Sequence, residues 1–475
     1  MEYIDIRKRN RVILYFFLLF CLIVLCFLFA PNYEIDLIYT ANYWIDALYL
    51  FLCSVFFSYG ICTKKFDLFS PITIFSVLYI VMFFFMPMYD ICVGEVSWFG
   101  QDLFGYGIRA STIAFIGYVS FLFFYLTKFT CGRFPKNRSG DEQRIQIKGK
   151  KLVPVIVIGY MVCLFANIYY MVFSNGNSVL YILTLGMLGS AGQHSVGENI
   201  GAISMLSYSL PSFTLLYMEY GNRKILKIVF FALMFVLQVA RGFRFFIIQI
   251  VIMFGAYYFL RENKKPRIKD ILILGVCLII PVVLMTLFRN GIRSGQGMDL
   301  SIVNGESIVE ALDAAIFDNF RIYKTYYGLI KAVPQMTNYL YGGQMIMYTA
   351  VMFIPRAIWH SKPGNPGTAA QLLALGKAAV DGGSAYPGLG EYYYDSGIIG
   401  VIVWSAIFGL WLSKMQRRYR YSAESHVDLM VYCTTLGLIL QLVIRGYTPS
   451  NFWMFIFCMI PYWGIKKMFC VREKA

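Results

Sequence analysis

The chain has 475 residues, of which 59% are hydrophobic and only 14% charged, with a mean hydropathy of +0.61. A soluble domain carries roughly a quarter charged residues, so this composition excludes an ordinary water-soluble globule and points to the bilayer. The formal net charge of +16 does not argue for nucleic acid, because most of the cations fall in short loops beside apolar runs, where they orient spans and meet anionic headgroups.

In chain order, the apolar runs predict about twelve transmembrane helices, at roughly 12–30, 43–61, 71–88, 108–127, 152–173, 200–218, 225–240, 243–260, 270–288, 396–413, 428–445 and 450–466. Each is near the ~20 residues that cross a bilayer as a helix, some shorter. The first run is followed by Pro31 with no small-residue cleavage site, so it reads as a retained span rather than a signal peptide. Loops 31–42 and 89–107 carry Glu34, Asp36, Asp90, Glu95 and Asp102. The alternate loops are basic: Arg7 to Arg9, Lys64 and Lys65, Lys128 to Lys151, Arg223 and Lys224, Arg261 to Lys269, and Lys414 to Arg420. Basic loops stay in the cytoplasm, which places both termini there. Residues 1–288 then hold spans one to nine, 289–395 form one large external loop with short helices, and 396–475 hold spans ten to twelve and a cytoplasmic tail. Nearly all of the eleven cysteines fall in spans or on the cytoplasmic side. Cys92 alone maps to an external loop, which argues against a disulfide framework.

Among the cations that break this orientation rule, eight stand out: Arg241, Arg244, Arg289, Arg293, Arg321, Arg356, Lys362 and Arg445 map to the external face. A cluster of guanidinium groups there suits a phosphate-bearing or otherwise anionic ligand. Arg241 and Arg244 sit at a tight hairpin tip around Gly242, where they bind such a ligand or simply anchor the hairpin. Arg289 and Arg293 are one helical turn apart, spaced to grip one diphosphate or to mark the water boundary. Within the large loop, Ser307 to Lys331 has helical apolar periodicity. Gly342 to Pro355 is apolar but too short to span, as a re-entrant or interfacial helix would be. Gly364, Pro366, Gly367, Gly382, Gly383 and the stretch Gly388 to Gly390 read as turns of a mobile lid. No internal repeat is evident, which disfavours a transporter built from two related halves.

Pro355 to Pro363 is the densest chemical segment. Arg356, His360 and Lys362 supply donors or a base, and Trp359 offers a flat apolar face to a sugar. Imidazole is suited to proton transfer near neutrality, so His360 is a candidate general base as well as a candidate structural residue. Glu391 and Asp395 form an i,i+4 carboxylate pair at the start of the tenth span, where the helix dipole favours charge. They serve as bases or as caps. Tyr392 between them is a second stacking candidate, and Arg445 adds a cation at the last external turn. The chain shows no His pair at i,i+4, no Cys–His spacing, no phosphate loop and no dinucleotide fingerprint, so neither metal nor cofactor is expected. A substrate that carries its own diphosphate leaving group fits better.

Pro355, Arg356, Trp359, Lys362 and Pro363, followed by Gly390, Glu391, Tyr392, Ser396, Gly397 and Gly400, resemble the oligosaccharide repeat-unit polymerases of the Wzy type. The Arg241–Gly242 hairpin tip and the single large loop late in the chain are similar too. The resemblance implies an all-α, GT-C-like multi-pass enzyme of the bacterial inner membrane that builds O-antigen of lipopolysaccharide, capsule or exopolysaccharide. It implies undecaprenyl-diphosphate-linked oligosaccharides as donor and acceptor, transfer on the external face, and a chain-length regulator protein as partner. In that scheme Arg241, Arg244, Arg289, Arg293, Arg356, Lys362 and Arg445 bind diphosphate, and Glu391, His360 or Asp395 takes the acceptor's proton. Trp359 and Tyr392 hold sugars. An O-antigen ligase shares topology and donor and is one rival; a lipid-linked glycan flippase or transporter is the other. A transporter would line a central cavity with charge, whereas these cations gather at one face.

The alternation of loops makes a direct prediction. In a background without reactive native thiols, Asp102→Cys and Gly382→Cys react with an impermeant thiol reagent from outside, and Lys136→Cys and Arg418→Cys react only after the cells are opened. Protection of Gly382→Cys in intact cells would overturn the topology.

Overall fold

The computed structural model describes residues 37–62, 67–131, 146–147, 149–174, 201–240, 244–264, 266–293, 312–314, 317–352, 354, 358–362, 364–377 and 385–471. Its first half comprises α1 (Leu37–Cys62), α2 (Pro71–Val93, with a π-helical turn at Val81–Phe85), the hairpin β1 (Ser97–Trp98) and β2 (Gln101–Asp102), α3 (Gly107–Cys131) and β3 (Gln146–Ile147). There follow α4 (Leu152–Ser174), α5 (Gly201–Leu206), α6 (Leu210–Tyr220), α7 (Lys224–Ala240), α8 (Arg244–Arg261) and α9 (Ile268–Arg293). The second half holds α10 (Tyr323–Ala332), α11 (Gly343–Val351), α12 (Pro366–Leu375), α13 (Gly388–Gln416), α14 (His426–Ile444), α15 (Thr448–Phe469) and β4 (Cys470–Val471).

Among the described residues, six helical segments are long and apolar enough to cross a membrane: Pro71–Val93, Phe104–Thr127, Leu152–Val172, Arg244–Arg261, Gly388–Tyr421 and His426–Ile444. The other expected spans that fall on described residues coincide with helix as well, in α1, α5–α6, α7, α9 and α15; the run 12–30 lies outside the described residues. The chain is an all-α polytopic membrane protein. Helices satisfy their own backbone groups where no water is present, and their outward faces carry exposed apolar side chains such as Ile158, Phe165, Ile225, Ile228 and Ile399.

Between helices, small residues and hydroxyl groups replace the hydrophobic driving force that lipid removes. Helices α3 and α13 run parallel: Arg109 meets Tyr393, Ser120 donates to the Ile402 carbonyl, and Tyr125 meets Gln416. A methyl group on Gly409 would lie 2.6 Å from the Phe121 carbonyl oxygen, so only glycine permits that crossing. Helix α15 is held by Ser209 and Ser212, which donate to the Phe457 and Cys458 carbonyls, and by Thr434 against Tyr462.

These contacts sort the loops to two ends. At one end Arg420 pairs with Asp67, Lys466 with Asp428, and Arg261 with Glu219, while β3 pairs with β4. All are segments read as cytoplasmic from their basic loops. At the other end, outer if the basic loops are cytoplasmic, Tyr39 binds Asp102, Arg321 binds Asp90, and Glu391 binds the turn at Tyr447. The parallel α3 and α13 fit the same alternation, which takes both from the outer to the inner side.

The outer end is pinned by a charge cluster. Asp90, fully buried at the end of α2, accepts from Tyr323 at 3.0 Å and pairs with Lys324 at 2.8 Å and Arg321 at 3.2 Å. Arg321 also reaches Asp313 (2.8 Å), Glu95 (3.3 Å) and Asp318 (3.4 Å). Burial alone would push its guanidinium down, but the carboxylates of Asp90 and Asp313 outweigh that and hold it above its ordinary range. Arg321, counted from sequence among the cations open to an anionic ligand, is thus committed to carboxylates of its own chain. Removing one partner of a buried pair strands the other charge, at about 3–5 kcal/mol. Asp90→Ala, which takes from buried Lys324 its carboxylate and from Arg321 one of four, is expected to lower the thermal midpoint in detergent sharply and to deplete folded protein from membranes. Wild-type thermal stability in that variant would remove the cluster from any structural role.

Candidate functional site

The first two turns of α13 organise the outer end. Sequence reading started this span at 396; the helix begins at Gly388 behind Pro387, so the glycines that look like a turn are its first turn. Glu391 and Asp395 therefore project from consecutive turns, and both are buried. Glu391 accepts from the Tyr447 amide (2.9 Å), the Thr448 amide (2.8 Å and 3.0 Å, one to each oxygen) and the Thr448 hydroxyl (2.7 Å). It caps α15, a helix 56 residues further on, and its charge meets the positive end of that helix dipole. Asp395 accepts from the Gly342 amide (2.6 Å), the Ser396 hydroxyl (3.0 Å) and the Trp404 indole (3.0 Å). It holds the residue that caps α11. At Ser396 and Gly397 the backbone leaves helical geometry, with φ of 62° at Gly397, a value glycine adopts without strain. The helix resumes beyond this kink.

The other expected site residues divide. Lys362 is buried, and its ammonium donates to the Met352 (2.8 Å) and Ile354 (3.1 Å) carbonyls, closing the C-terminal end of α11 while lying 5.1 Å from the Tyr348 ring centroid. Tyr348 in turn sits 6.4 Å, ring to ring, from Tyr447, so Lys362 and Glu391 belong to one neighbourhood. His360 is exposed two residues before Lys362. Trp359 is half-buried and donates to the Ser361 hydroxyl. Tyr392 stacks on Trp404 at 6.1 Å within α13. Arg244 donates to the Ala314 carbonyl and pairs with Asp318 at 3.5 Å. Positions 289 and 293 lie in the last turns of α9, whose side chains there are outside the described structure. Arg241 and Arg356 also lie outside the described residues.

Arg445 stands apart in what surrounds it. It ends α14 and lines a largely apolar cavity of about 340 Å³ between α2, α8, α9 and α14, together with Leu78, Phe245, Ile248, Leu440 and Gln441. Its guanidinium lies 5.1 Å from the Phe245 ring centroid. The turn that carries it is fixed from three sides: Asn451 donates to the Arg445 carbonyl, Gly446 donates to the Tyr386 carbonyl, and Glu391 holds Tyr447 and Thr448. Burial first, and then the Glu391 carboxylate, push the Tyr386 phenol well above its ordinary range, so it stays neutral. An apolar chamber with a cation at its outer end fits an amphiphile with an anionic head.

A sequence model of the O-antigen polysaccharide polymerase Wzy family matches residues 11–473. The chain belongs to this family. Wzy polymerases join O-antigen repeat units by glycosyl transfer and work in the membrane on lipid-linked oligosaccharide. Comparison with curated proteins and with solved structures gave no significant match.

Sequence reasoning missed several residues that build this end of the Wzy chain. Tyr386, Tyr447 and Thr448 were not singled out, although Thr448-Pro449 is a recognisable helix start, and Asp90 was read only as an acidic loop residue, although it is a carboxylate at the edge of an apolar run. The capping geometry carries a prediction. Glutamine at 391 would set an amide nitrogen against backbone N–H donors, so Glu391→Gln loses charge-assisted bonds worth about 1.5–3 kcal/mol each. The variant is expected to lose thermal stability and polymerisation together, and Thr448→Val to do so to a smaller degree. Loss of activity in Glu391→Gln at wild-type thermal stability would mark Glu391 as a base instead.

Proposed function

We propose that the chain polymerises repeat units carried on undecaprenyl diphosphate, on the outer face of the bacterial inner membrane. The observation that carries this is the apolar cavity with Arg445 at its outer end. A polyprenyl tail fits between the spans, and its diphosphate meets the guanidinium. Arg244 lies next to the cavity-lining Phe245, and α9 carries Arg289 and Arg293 beyond its cavity-lining residues towards the same end. These cations, with Arg241 and Arg356, are assigned to the diphosphate.

In the reaction the acceptor hydroxyl oxygen attacks C1 of the donor's reducing-end sugar. The C1–oxygen bond to the diphosphate breaks, and the leaving group takes the bonding pair, so its negative charge grows as the bond opens. Cations fixed beforehand stabilise that charge without reorganising. The hydroxyl proton needs a base. Glu391 and Asp395 already spend their oxygens on backbone amides and neighbouring donors, which suits them to positioning. His360 is exposed in the loop whose Lys362 packs beside the Glu391 neighbourhood, and it is assigned the proton. Trp359 and Lys362 steady that loop.

Arg445 is the residue to test. Arg445→Ala is expected to reduce polymerisation about 10²–10³-fold, the usual loss for one charge-stabilising donor. Arg445→Lys is expected to rescue poorly, because a point charge does not reproduce a planar fork. Cells whose only copy is Arg445→Ala then accumulate surface glycan capped with single repeats. Normal polymer length at normal protein abundance would exclude Arg445 from the site, and long polymer left unattached would mark a ligase.

A further inference from the structure

Two tyrosines at the outer end hold left-handed backbone, a conformation that side chains with a Cβ rarely adopt: Tyr447 (φ 86°) and Tyr341 (φ 50°). Tyr447 is accounted for by the cap on α15. Tyr341 is not. Its amide donates to the Asp395 carbonyl at 2.7 Å, and the next amide, of left-handed Gly342, donates to the Asp395 carboxylate. The Asp395 residue thus locks two successive left-handed residues. What the lock presents is the Tyr341 side chain, 74% exposed. Asparagine or glycine would make the same turn without strain. A strained backbone that displays a large ring is a feature with a use rather than a by-product of packing.

The ring does not stand alone. Tyr341 lies 6.0 Å from Tyr339, edge to face, and Tyr339 lies 6.0 Å from buried Tyr393. Tyr339 packs into the kink of α13, where a methyl on Gly397 would meet its ring at 3.0 Å. At the inner end of the row, exposed Arg109 donates to the Tyr393 hydroxyl at 3.2 Å, and that hydroxyl donates to the Val333 carbonyl. The result is a row of rigid aromatic rings that runs from a guanidinium to solvent and is seated on the α13 carboxylate turn.

We infer that Tyr341, Tyr339 and Arg109 form a carbohydrate subsite that takes the oligosaccharide of a lipid-linked repeat, apart from the lipid diphosphate. This rests on the polymerase reading above. Sugar rings lay their C–H faces on exposed aromatic rings, and guanidinium groups donate to hydroxyl or carboxylate oxygens at the rim. The alternative for an exposed tyrosine is an anchor at the lipid–water interface. An anchor gains nothing from a strained backbone locked by a buried carboxylate, and it does not need a guanidinium at the other end of the row.

The test uses full-length protein in nanodiscs, with the repeat-unit oligosaccharide released by mild acid from the host's own lipid-linked intermediate as probe. Tyr341→Asn removes the ring and relaxes the backbone, so its thermal stability is expected to equal or exceed wild type. Its affinity for the oligosaccharide is expected to fall about tenfold, the scale of one aromatic contact. Tyr341→Leu should fall equally, Tyr341→Trp should stay within about threefold of wild type, and Arg109→Ala should weaken binding as well. In membrane vesicles the Asn variant should raise KM for the acceptor and leave kcat nearly unchanged. Wild-type affinity in Tyr341→Asn, or no binding by the wild-type protein, would overturn the subsite; full retention by Tyr341→Leu would identify a membrane anchor. Wild-type vesicles that fail to extend lipid-linked repeats would strike the polymerase reading itself, an outcome distinct from a defect confined to Tyr341 variants.

Discussion

Every helix leaves its first N–H groups without partners, and inside a membrane protein water is not there to take them. At the start of α15 those groups are taken by Glu391, which reaches across from α13. The bond does more than close a helix. The turn that precedes α15 carries Arg445 and Tyr447, so the same carboxylate fixes the one described cation that lines the apolar cavity. One turn later Asp395 does the corresponding work for α11. Two carboxylates spaced i,i+4 thus join α13 to the N-terminal ends of α11 and α15.

The charge economy of the outer end follows from the same constraint. A cation left alone in a low-dielectric setting is costly, and Arg321 and Lys324 are answered by Asp90, with Glu95, Asp313 and Asp318 around them. Arg244 shares Asp318 and so connects the cluster to the hairpin of α7 and α8. The cluster anchors the segment before α10 to the end of α2. Arg445 packs against the Phe245 ring at the edge of the apolar chamber, a low-dielectric setting that strengthens charge–charge attraction.

What was legible in the sequence is what short-range rules govern. Span length, helical apolar period and basic loops located the helices, because each depends on residues within one segment. The start of α13 was misread, since Gly388 and Gly390 look like a turn when the packing that makes them helical cannot be seen. Pro366 and Gly367, read as a turn, open α12 behind Asn365, whose side chain accepts from the Gly367 amide. Glu391 and Asp395 were visible as a pair and as candidate caps, but not as caps of α15 and α11, because those partners lie more than fifty residues away in sequence. Arg321 looked like an open cation for a related reason: Asp90 is 231 residues from it. Composition reveals that charges exist, and only the fold decides which of them face one another.

The central claim is that the Glu391-held turn places Arg445 over a chamber that accepts the lipid diphosphate. A diazirine-bearing polyprenyl diphosphate, photolysed in membrane vesicles and followed by peptide mapping, tests it most directly. Adducts are expected on α8, α9 and α14 around Phe245, Ile248 and Leu440, and Leu440→Trp, which fills the chamber, should suppress them. Adducts on lipid-facing helices such as α4, at a yield that Leu440→Trp leaves unchanged, would contradict the account.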